Sequence, residues 1–324
     1  MKSSAGMLLI FKECAYLIID FRYIEKARNT VKNCTVMEQE NLTEQINSLM
    51  KKHNAKSLAV ESMDMTLSRM SFLEKKFPDI EFIKSDELSN NIYDMRTIKS
   101  TEEIEKIHKA QKIAEKAFDE ILGFIRPGVT EREIALKLDN CMLENGAEGL
   151  SFETIALAGA NTSMPHGVSG NYKVKNGDFV LMDFGAVYDG YHSDMTRTVC
   201  VGQSSEKMGK IYDIVLKAQL EALKKVKSGI TGSELDGYAR DIIDESGYGD
   251  FFGHSLGHGV GMEIHEFPTA SSKSETILKE NMVVTVEPGI YLPGKFGVRI
   301  EDFVVVTENS HQNLTNCPKK LIIL

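Results

Sequence analysis

Two stretches of this 324-residue chain repeat each other without a gap: IRPGVTEREIALKLDNCMLENG (residues 125–146) and VKSGITGSELDGYARDIIDESG (residues 226–247). Both have a glycine two residues before a threonine, a glutamate three residues after it and a terminal glycine. Such a threonine can cap the next helix, while the glutamate completes a capping box. A good helix start alone would give this short pattern, but the match extends through a whole helix-turn-helix. We therefore predict an internal duplication.

Strand-like sequence follows each copy of the repeat. Residues 176–199 and residues 281–307 are rich in β-branched and aromatic residues, which is typical of hairpins. A long amphipathic helix also precedes each copy. We therefore predict that residues 95–324 form an α+β domain built from a duplicated helix-helix-sheet unit, with two sheets over a shared cleft.

The first segment, residues 1–94, alternates between strand-like and helical stretches. GMLLIF (residues 6–11) and AYLIIDF (residues 15–21) predict a strand hairpin, and the alternation that follows predicts a smaller α/β domain. A long helix then opens the larger domain, with Thr101 as its predicted N-cap and two glutamates in its first turn. The domain boundary is therefore placed near Met95.

The bulk composition excludes several classes of protein. A net charge of −9 argues against nucleic acid as a partner, because phosphate binding needs a basic surface. The five cysteines are widely spaced without a C-x-x-C pair, which favours free thiols in a reducing compartment. No run approaches the ~20 apolar residues of a membrane span. We expect a cytoplasmic protein without membrane contact.

Four carboxylates and one imidazole in the second half of the chain stand in unusual contexts. They are Asp183 in LMDFGAVYDG, Asp194 in YHSDMTRTV, His258 in GHSLGHGVG, Glu287 in TVEPGIY and Glu301 in VRIEDF. Acidic residues are depleted in strands and costly to bury unpaired. If a hairpin brings Asp183 and Asp194 together, a dication can supply the counter-charge. This ligand set is expected for two divalent cations with bridging carboxylates, which generate hydroxide near neutral pH.

Three of these residues also have a plainer interpretation. Asp183 could end a strand at a turn, and Glu287 could be exposed because Pro288 and a glycine follow it. Arg299 has the parity to share a strand face with Glu301, so a surface salt bridge is an alternative to metal ligation.

The stretch GHSLGHGVGMEIHE, residues 253–266, holds His254, His258 and His265 among glycines that let the backbone approach a ligand closely. A surface cluster of histidines is the plainer interpretation. No H-E-x-x-H occurs, which excludes a zincin helix, and the sequence has neither a P-loop nor a dinucleotide fingerprint. His166, in the loop-like NTSMPHGVSG, could bind substrate or stabilise a tetrahedral intermediate beside a metal cleft.

At these residues the chain resembles the pita-bread metallopeptidases, in particular the branch of Xaa-Pro aminopeptidase (aminopeptidase P) and prolidase. The five motifs follow the family's order, and the similarity covers residues 95–324. Residues 1–94 resemble the creatinase-type N-terminal domain of the same branch, with DFRY at residues 20–23. Compared with that pattern this segment lacks the first strand and helix, so we expect a domain shortened at its start.

The resemblance implies a set of metal ligands. Asp183 would bind one metal, and Asp194 and Glu301 would bridge both. His258 and Glu287 would complete the second metal. A bridging hydroxide would attack the carbonyl before proline, and Glu287 would accept and relay its proton as general base.

The resemblance also implies roles for four residues around the metals. His166 and His265 would steady the intermediate and the leaving nitrogen. His254 would line the proline pocket, and Arg299 would orient the bridging carboxylate.

The function implied by the resemblance is a metal-dependent exopeptidase that removes an N-terminal residue preceding proline. A prolidase, which cuts only Xaa-Pro dipeptides, is the alternative. His254 and the additional α/β domain distinguish the chain from methionine aminopeptidases. The intact ligand set counts against a catalytically silent binding module and a creatinase-like hydrolase. The ligands suit two Mn²⁺ ions, with Co²⁺, Zn²⁺ or Fe²⁺ as alternatives, and the resemblance implies a homodimer acting on proline-containing peptides.

Overall fold

The computed structural model describes residues 5–324, and the chain divides into two units, Met1–Ile92 and Tyr93–Leu324. The first four residues of the predicted N-terminal domain lie outside the described residues. The predicted division at residues 94 and 95 falls inside a helix, Glu87–Thr97, and stays a prediction. Among the helices within residues 5–324, none combines the length and the apolar composition that crossing a membrane requires.

The first unit alternates between strands and helices, as its sequence predicts. Its elements are β1 (Met7–Ile10), β2 (Ala15–Ile19), α1 (Ile24–Thr30), β3 (Thr35–Glu38), α2 (Leu42–Lys52), β4 (Ser57–Ala59), α3 (Leu67–Lys76), β5 (Glu81–Ile83) and the start of α4 (Glu87–Thr97). The strand β2 pairs antiparallel with β1 and parallel with β3, while β4 and β5 form a separate parallel pair. Ile18, Leu49 and Leu73 are buried in its core, so the apolar faces of the sheet and helices meet.

The second unit contains the duplication. Its first half comprises α5 (Thr101–Leu122), α6 (Glu131–Glu144), β6 (Gly149–Leu150), β7 (Ile155–Ala158), β8 (Phe179–Phe184), β9 (Ala186–Tyr188), β10 (Tyr191–His192) and β11 (Met195–Cys200). Its second half comprises α7 (Glu206–Lys225), α8 (Gly232–Glu245), β12 (Gly257–Gly259), β13 (Glu266–Ala270), β14 (Val283–Val286), β15 (Gly289–Leu292), β16 (Phe296–Arg299), β17 (Asp302–Val306) and β18 (His311–Asn313). The main sheets run in the orders β11-β8-β7 and β13-β12-β14-β17-β18.

The starts of the repeated helices confirm the capping prediction. Thr130 and Thr231 each accept from the backbone N–H of the glutamate three residues on, and each glutamate returns to the backbone of its threonine. The predicted N-cap of α5 is wrong by one residue. Ser100, not Thr101, is the cap, because a glutamate stands three residues after Ser100 and closes a capping box there.

Each helix pair covers one face of its own sheet. In β8, Val180 and Met182 pack into the core formed with α5 and α6. In β14, Val284 and Val286 pack into the core formed with α7 and α8. Because side chains alternate along a strand, the residues between them point to the opposite face. Those opposite faces carry the polar side chains described next.

Candidate metal centre

The predicted acidic residues lie on the strand faces that point away from the helices. Asp183 stands between two core residues of β8, and Glu287 directly follows the buried Val286. Arg299 and Glu301 alternate in the same way with the core residues Val298 and Ile300. Apolar packing on one face of each strand therefore fixes the polar residues on the other face.

A cavity of about 480 Å³ collects the predicted site. Its lining includes Asp183, Asp194, His258, Glu287 and Glu301, together with His166, His254, His265 and Arg299. The structure therefore brings together all nine residues that the sequence singled out, from both halves of the duplication.

The centre of this cavity is a tight group of ligand-type atoms. One ligand atom each from Asp194, His258 and Glu301 lies within 4.8 Å of the others. The Nε2 atom of His258 is 3.5 Å from Oδ2 of Asp194 and 3.4 Å from Oε1 of Glu287. The Nδ1 atom of the same ring lies 3.1 Å from the carbonyl oxygen of Gly259, which only accepts hydrogen bonds. A neutral His258 therefore carries its proton on Nδ1 and turns the Nε2 lone pair towards the carboxylates.

Burial and mutual repulsion make this group unfavourable without a cation. Burial, followed by the charge of Glu301, raises the pKa of Asp194 well above its ordinary value, and burial and Glu287 do the same to Glu301. Burial raises the pKa of Glu287 to about 8. Burial lowers the pKa of His258. All four shifts oppose the charged forms, which a bound dication would favour in the carboxylates.

The buried oxygens of the group also lack partners. Within residues 5–324, Oδ1 of Asp183 and Oε1 of Glu301 are buried without a hydrogen bond. Buried carboxylate oxygens are normally satisfied, so these two are best explained by a ligand at the centre of the group. Hard carboxylate oxygens with one imidazole nitrogen suit a divalent cation. The residues present therefore fit the predicted metal.

Two threonines that the sequence analysis did not single out support the acidic residues. Thr196 Oγ1 donates to Oε2 of Glu301 at 2.7 Å. Thr285 Oγ1 is 3.1 Å from Oε1 of Glu287 and accepts from the backbone N–H of His258. Each threonine stands two residues from an acidic residue, Asp194 or Glu287, and therefore shares its strand face. This spacing is a signal that the sequence offered.

Arg299 is held by three partners on the two halves. Its Nη2 donates to Oδ2 of Asp183 at 2.6 Å, Nε donates to Thr196 Oγ1 at 3.0 Å and Nη1 donates to the Tyr291 hydroxyl at 2.8 Å. The strand-surface alternative, an ion pair with Glu301, is wrong, because the guanidinium turns towards Asp183 instead.

His254 lies in a second network that includes Tyr291, a residue not predicted from the sequence. Its Nε2 is 2.9 Å from the Tyr291 hydroxyl, and its Nδ1 is 2.8 Å from the carbonyl oxygen of Ser255. Burial lowers the pKa of His254 to about 4, so the ring is neutral with its proton on Nδ1. Tyr291 accepts from Arg299 and therefore donates to Nε2. Both ring nitrogens of His254 therefore have hydrogen-bond partners. The ring is held in one orientation and presents an uncharged wall to the cavity.

Buried acids anchor the loops that carry two of the histidines. Glu131, at the start of α6, accepts from the backbone N–H groups of Ala158 and Gly170, on either side of the loop that holds His166. Asp236, on α8, pairs with Arg240. The guanidinium of Arg240 then donates to the carbonyl oxygens of Phe252 and His254 at 2.8 and 2.9 Å.

His166 and His265 lie at the solvent-exposed part of the cavity. The ring of His265 stands edge-on to that of His258, with 4.3 Å between the centroids. Burial lowers the pKa of His265, followed in effect by the neighbouring His258. Both histidines are therefore accessible to a bound substrate.

A cavity between duplicated halves, with buried carboxylates, an imidazole and accessible histidines, defines a metal-dependent hydrolase. The model of metallopeptidase family M24 matches residues 105–308, and that of the creatinase/prolidase N-terminal domain matches residues 1–98. The chain belongs to metallopeptidase family M24. The predicted pita-bread architecture with a creatinase-like first domain is confirmed.

Relatives of known name extend over almost the whole chain. The Xaa-Pro dipeptidase of Pyrococcus horikoshii is 44% identical over 319 residues, 98% of this chain and 89% of that protein. The structure of an Xaa-Pro dipeptidase from Bacillus anthracis matches with a TM-score of 0.96 at 43% identity, covering 100% of this chain and 90% of that one. The X-Pro aminopeptidase structure from Thermotoga maritima matches with a TM-score of 0.92 at 41% identity, covering 99% and 89%.

Proposed function

We propose that this chain hydrolyses the bond before proline in Xaa-Pro peptides, and that it is a dipeptidase. The observation that carries the proposal is the group of Asp194, His258 and Glu301, in which Oε1 of Glu301 is buried without a partner, inside a cavity lined by three further histidines. The names of the relatives support the substrate class. They favour the dipeptidase alternative over the aminopeptidase that the sequence analysis put first.

The five acidic and imidazole residues would hold two divalent cations. Asp183, Asp194, His258, Glu287 and Glu301 are the proposed ligands. When bound, the cations would lower the pKa of a water molecule and polarise the scissile carbonyl. We propose Mn²⁺ in particular, because four of the five side chains offer hard oxygen ligands.

The remaining chemistry is assigned to side chains of the chain itself. Glu287, whose Oε1 lies 3.4 Å from Nε2 of His258, would accept a proton from the attacking water and return it to the leaving nitrogen as general base. His166 and His265, which are exposed and line the cavity, would donate to the developing oxyanion and the leaving group. His254, neutral and held by Tyr291, would form a wall against the proline ring. The sequence analysis expected Arg299 to orient a bridging carboxylate. Its direct partner is Asp183, which it would orient, and it reaches Glu301 through the hydroxyl of Thr196.

The location, the oligomeric state and the domain division of the protein are also proposals. Five free cysteines suit a reducing compartment, and we propose a cytoplasmic location on that basis. We further propose a homodimer, which analytical ultracentrifugation of the full chain would test. The two-domain division near residues 94 and 95 is supported by the two family models, which match residues 1–98 and residues 105–308.

A peptide panel tests the activity. Purified protein is loaded with Mn²⁺ and incubated with Ala-Pro, Ala-Pro-Ala and the control dipeptide Ala-Ala. We expect Ala-Pro to be cleaved and the other two to be spared. Cleavage of Ala-Pro-Ala at a comparable rate would establish the aminopeptidase instead, which the Thermotoga maritima match favours. No proline-dependent cleavage with Mn²⁺, Co²⁺, Zn²⁺ or Fe²⁺ would overturn the peptidase proposal.

A further inference from the structure

A second buried ionic group lies beside the cavity, outside the proposed ligand set. The carboxylate of Glu266 accepts from Nζ of Lys99 at 2.6 Å and from Nη2 of Arg96 at 3.0 Å. The side chains of Lys99 and Glu266 are 1% and 5% exposed, so the pair is removed from water. Glu263, 61% exposed, also approaches Arg96 but at 3.3 Å and at the surface. The strongest contacts of the group are therefore the two ion pairs that Lys99 and Arg96 form with the carboxylate of Glu266.

Stability alone is a weak reason for such a group. Burial lowers the pKa of Lys99, so its charged form is penalised before Glu266 compensates it. Desolvation of two charges often equals or exceeds their attraction, and apolar residues of similar size commonly stabilise a protein as well. Lys99 is nevertheless fixed, because its backbone N–H donates to Asn281 and its Nζ also donates to Thr97. A buried ion pair with this geometry is suited to fixing the position of Glu266 relative to Lys99.

Glu266 holds the loop that connects β12 to β13. Its carboxylate lies 3.4 Å from the backbone nitrogen of Glu263, within that loop. It also packs under Gly261, where an added Cβ would come within 2.2 Å of Oε1. Glu266 pairs with Gly259 across the strands, and the register shifts between His258 and Gly259. The clamped residue therefore stands opposite the neighbour of one proposed ligand and directly after His265.

His265 depends on this loop for its orientation. Its side chain is exposed, and its ring stands edge-on to that of His258 with 4.3 Å between the centroids. His254 differs, because Tyr291 and Ser255 hold both of its ring nitrogens. The backbone sets the direction of the Cα–Cβ bond of His265, and Glu266 is the next residue along that backbone.

We propose that Glu266, held by Lys99 and Arg96, is a positioning residue that aims the imidazole of His265 into the cavity. The effect on turnover rests on the proposed function, whereas the effect on the ring does not. If the ionic group merely anchored the segment before α5, its loss would change stability and leave the ring of His265 as it is.

Two readouts of Glu266→Gln separate these outcomes. The first is the ring signals of His265 in ¹⁵N-histidine-labelled, metal-free full-length protein, assigned by their absence in His265→Gln. This readout needs neither substrate nor metal. The second is kcat and KM for Ala-Pro with Mn²⁺. Glu263→Gln is the matched control, because it removes an exposed carboxylate from the same group and surface ion pairs contribute little.

We expect Glu266→Gln to shift the His265 ring signals and to lower kcat about ten- to a hundredfold, with KM changed less than about twofold. Glu263→Gln should change neither. In the His265→Gln background the further loss of kcat on adding Glu266→Gln should disappear, because both changes act through one ring. Should Glu266→Gln not fold, Arg96→Gln removes the other cation that contacts Glu266, from a side chain that is 22% exposed, and should give the same pattern with smaller size.

The proposal is overturned if Glu266→Gln lowers the melting temperature while the His265 signals match those of Glu263→Gln. It is also overturned if the losses of kcat in the double variant simply multiply. An inactive wild type would overturn the proposed function instead, and the ring signals would still decide the role of Glu266.

Discussion

Arg299 and Asp183 join the two halves of the duplicated domain through one ion pair. Nη2 of Arg299 donates to Oδ2 of Asp183 at 2.6 Å across 116 positions of sequence. The same guanidinium reaches Thr196 and Tyr291, and its side chain is 3% exposed. One planar group therefore fixes a proposed ligand from the first half against a strand of the second.

Replacing Arg299 with lysine should show how much this geometry contributes. Lysine keeps the charge but cannot reach three partners with a planar fork. We expect Arg299→Lys to lower Mn²⁺ affinity and kcat/KM each by about ten- to a hundredfold, measured by calorimetric titration and Ala-Pro hydrolysis. Arg132→Lys, at an exposed position of α6, is the control and should behave as wild type. Unchanged affinity in Arg299→Lys would mean that charge alone orients Asp183.

Asp194→Asn should have opposite effects on stability with and without metal. In metal-free protein at pH 8, Asp194 faces Glu301 and two further acids, so a neutral amide relieves repulsion. We expect a gain of about 1–2 kcal/mol in unfolding free energy by urea titration in EDTA. With Mn²⁺ in excess the wild type should become the more stable, because metal that binds only the folded state stabilises it.

Activity should fall at least about a hundredfold in Asp194→Asn, since a ligand matters at least as much as the groups that orient it. Asp241→Asn, at an exposed position of α8, is the matched control. A variant that is less stable than wild type in EDTA would contradict the repulsion argued here, and one that keeps metal-dependent stabilisation would contradict the proposed ligand role.

Site residues were predictable where an acidic residue interrupts the alternation expected of an apolar strand. Asp183 and Glu301 stand in apolar β-runs, and that mismatch between residue and context marked them. Tyr291 could not be recognised in this way, because tyrosine is common in strands. The partners of its hydroxyl, His254 and Arg299, lie elsewhere in the sequence. The partner of Arg299 was missed for a related reason: parity identifies residues on one strand, but only the folded sheets bring Asp183 opposite.

The clamp on Glu266 was equally invisible in the sequence. Lys99 and Glu266 are separated by 167 positions, and charged residues are usually solvated. The helix starts were largely predictable because a capping box is a local pattern. The one-residue error at Ser100 arose because two adjacent residues can both cap, and the position of the glutamate decides between them.

Arg197 should be the most costly buried charge to remove. Its guanidinium is 1% exposed and pairs with Asp302 at 2.8 Å, and it also donates to backbone carbonyls of Cys317 and Pro318. Arg197→Met would leave those acceptors unsatisfied, so we expect a loss of about 3–5 kcal/mol in unfolding free energy. Lys319 is the other cation on Asp302, and its side chain is 20% exposed. Lys319→Met should therefore cost clearly less. Equal losses in urea titrations would show that Arg197 adds nothing beyond one charge.

His254 should make the metal-free protein less stable in mild acid. Burial lowers its pKa from the ordinary 6.5 to about 4 in the folded state. Between these two values the unfolded chain binds the proton and the folded protein does not, so stability from this group rises with pH across that window and is lost as pH falls. The full effect is on the order of 3 kcal/mol.

His254→Gln, which cannot be protonated, should therefore flatten the slope of unfolding free energy between about pH 4.5 and 6.5 in EDTA. His108→Gln, which removes a histidine whose pKa is also lowered but which lies outside the cavity lining, serves as the comparison. Because Tyr291 donates to Nε2 only while that atom is unprotonated, a His254→Gln slope equal to that of wild type would mean that the ring is protonated in the folded protein, and the neutral wall proposed for proline would not exist.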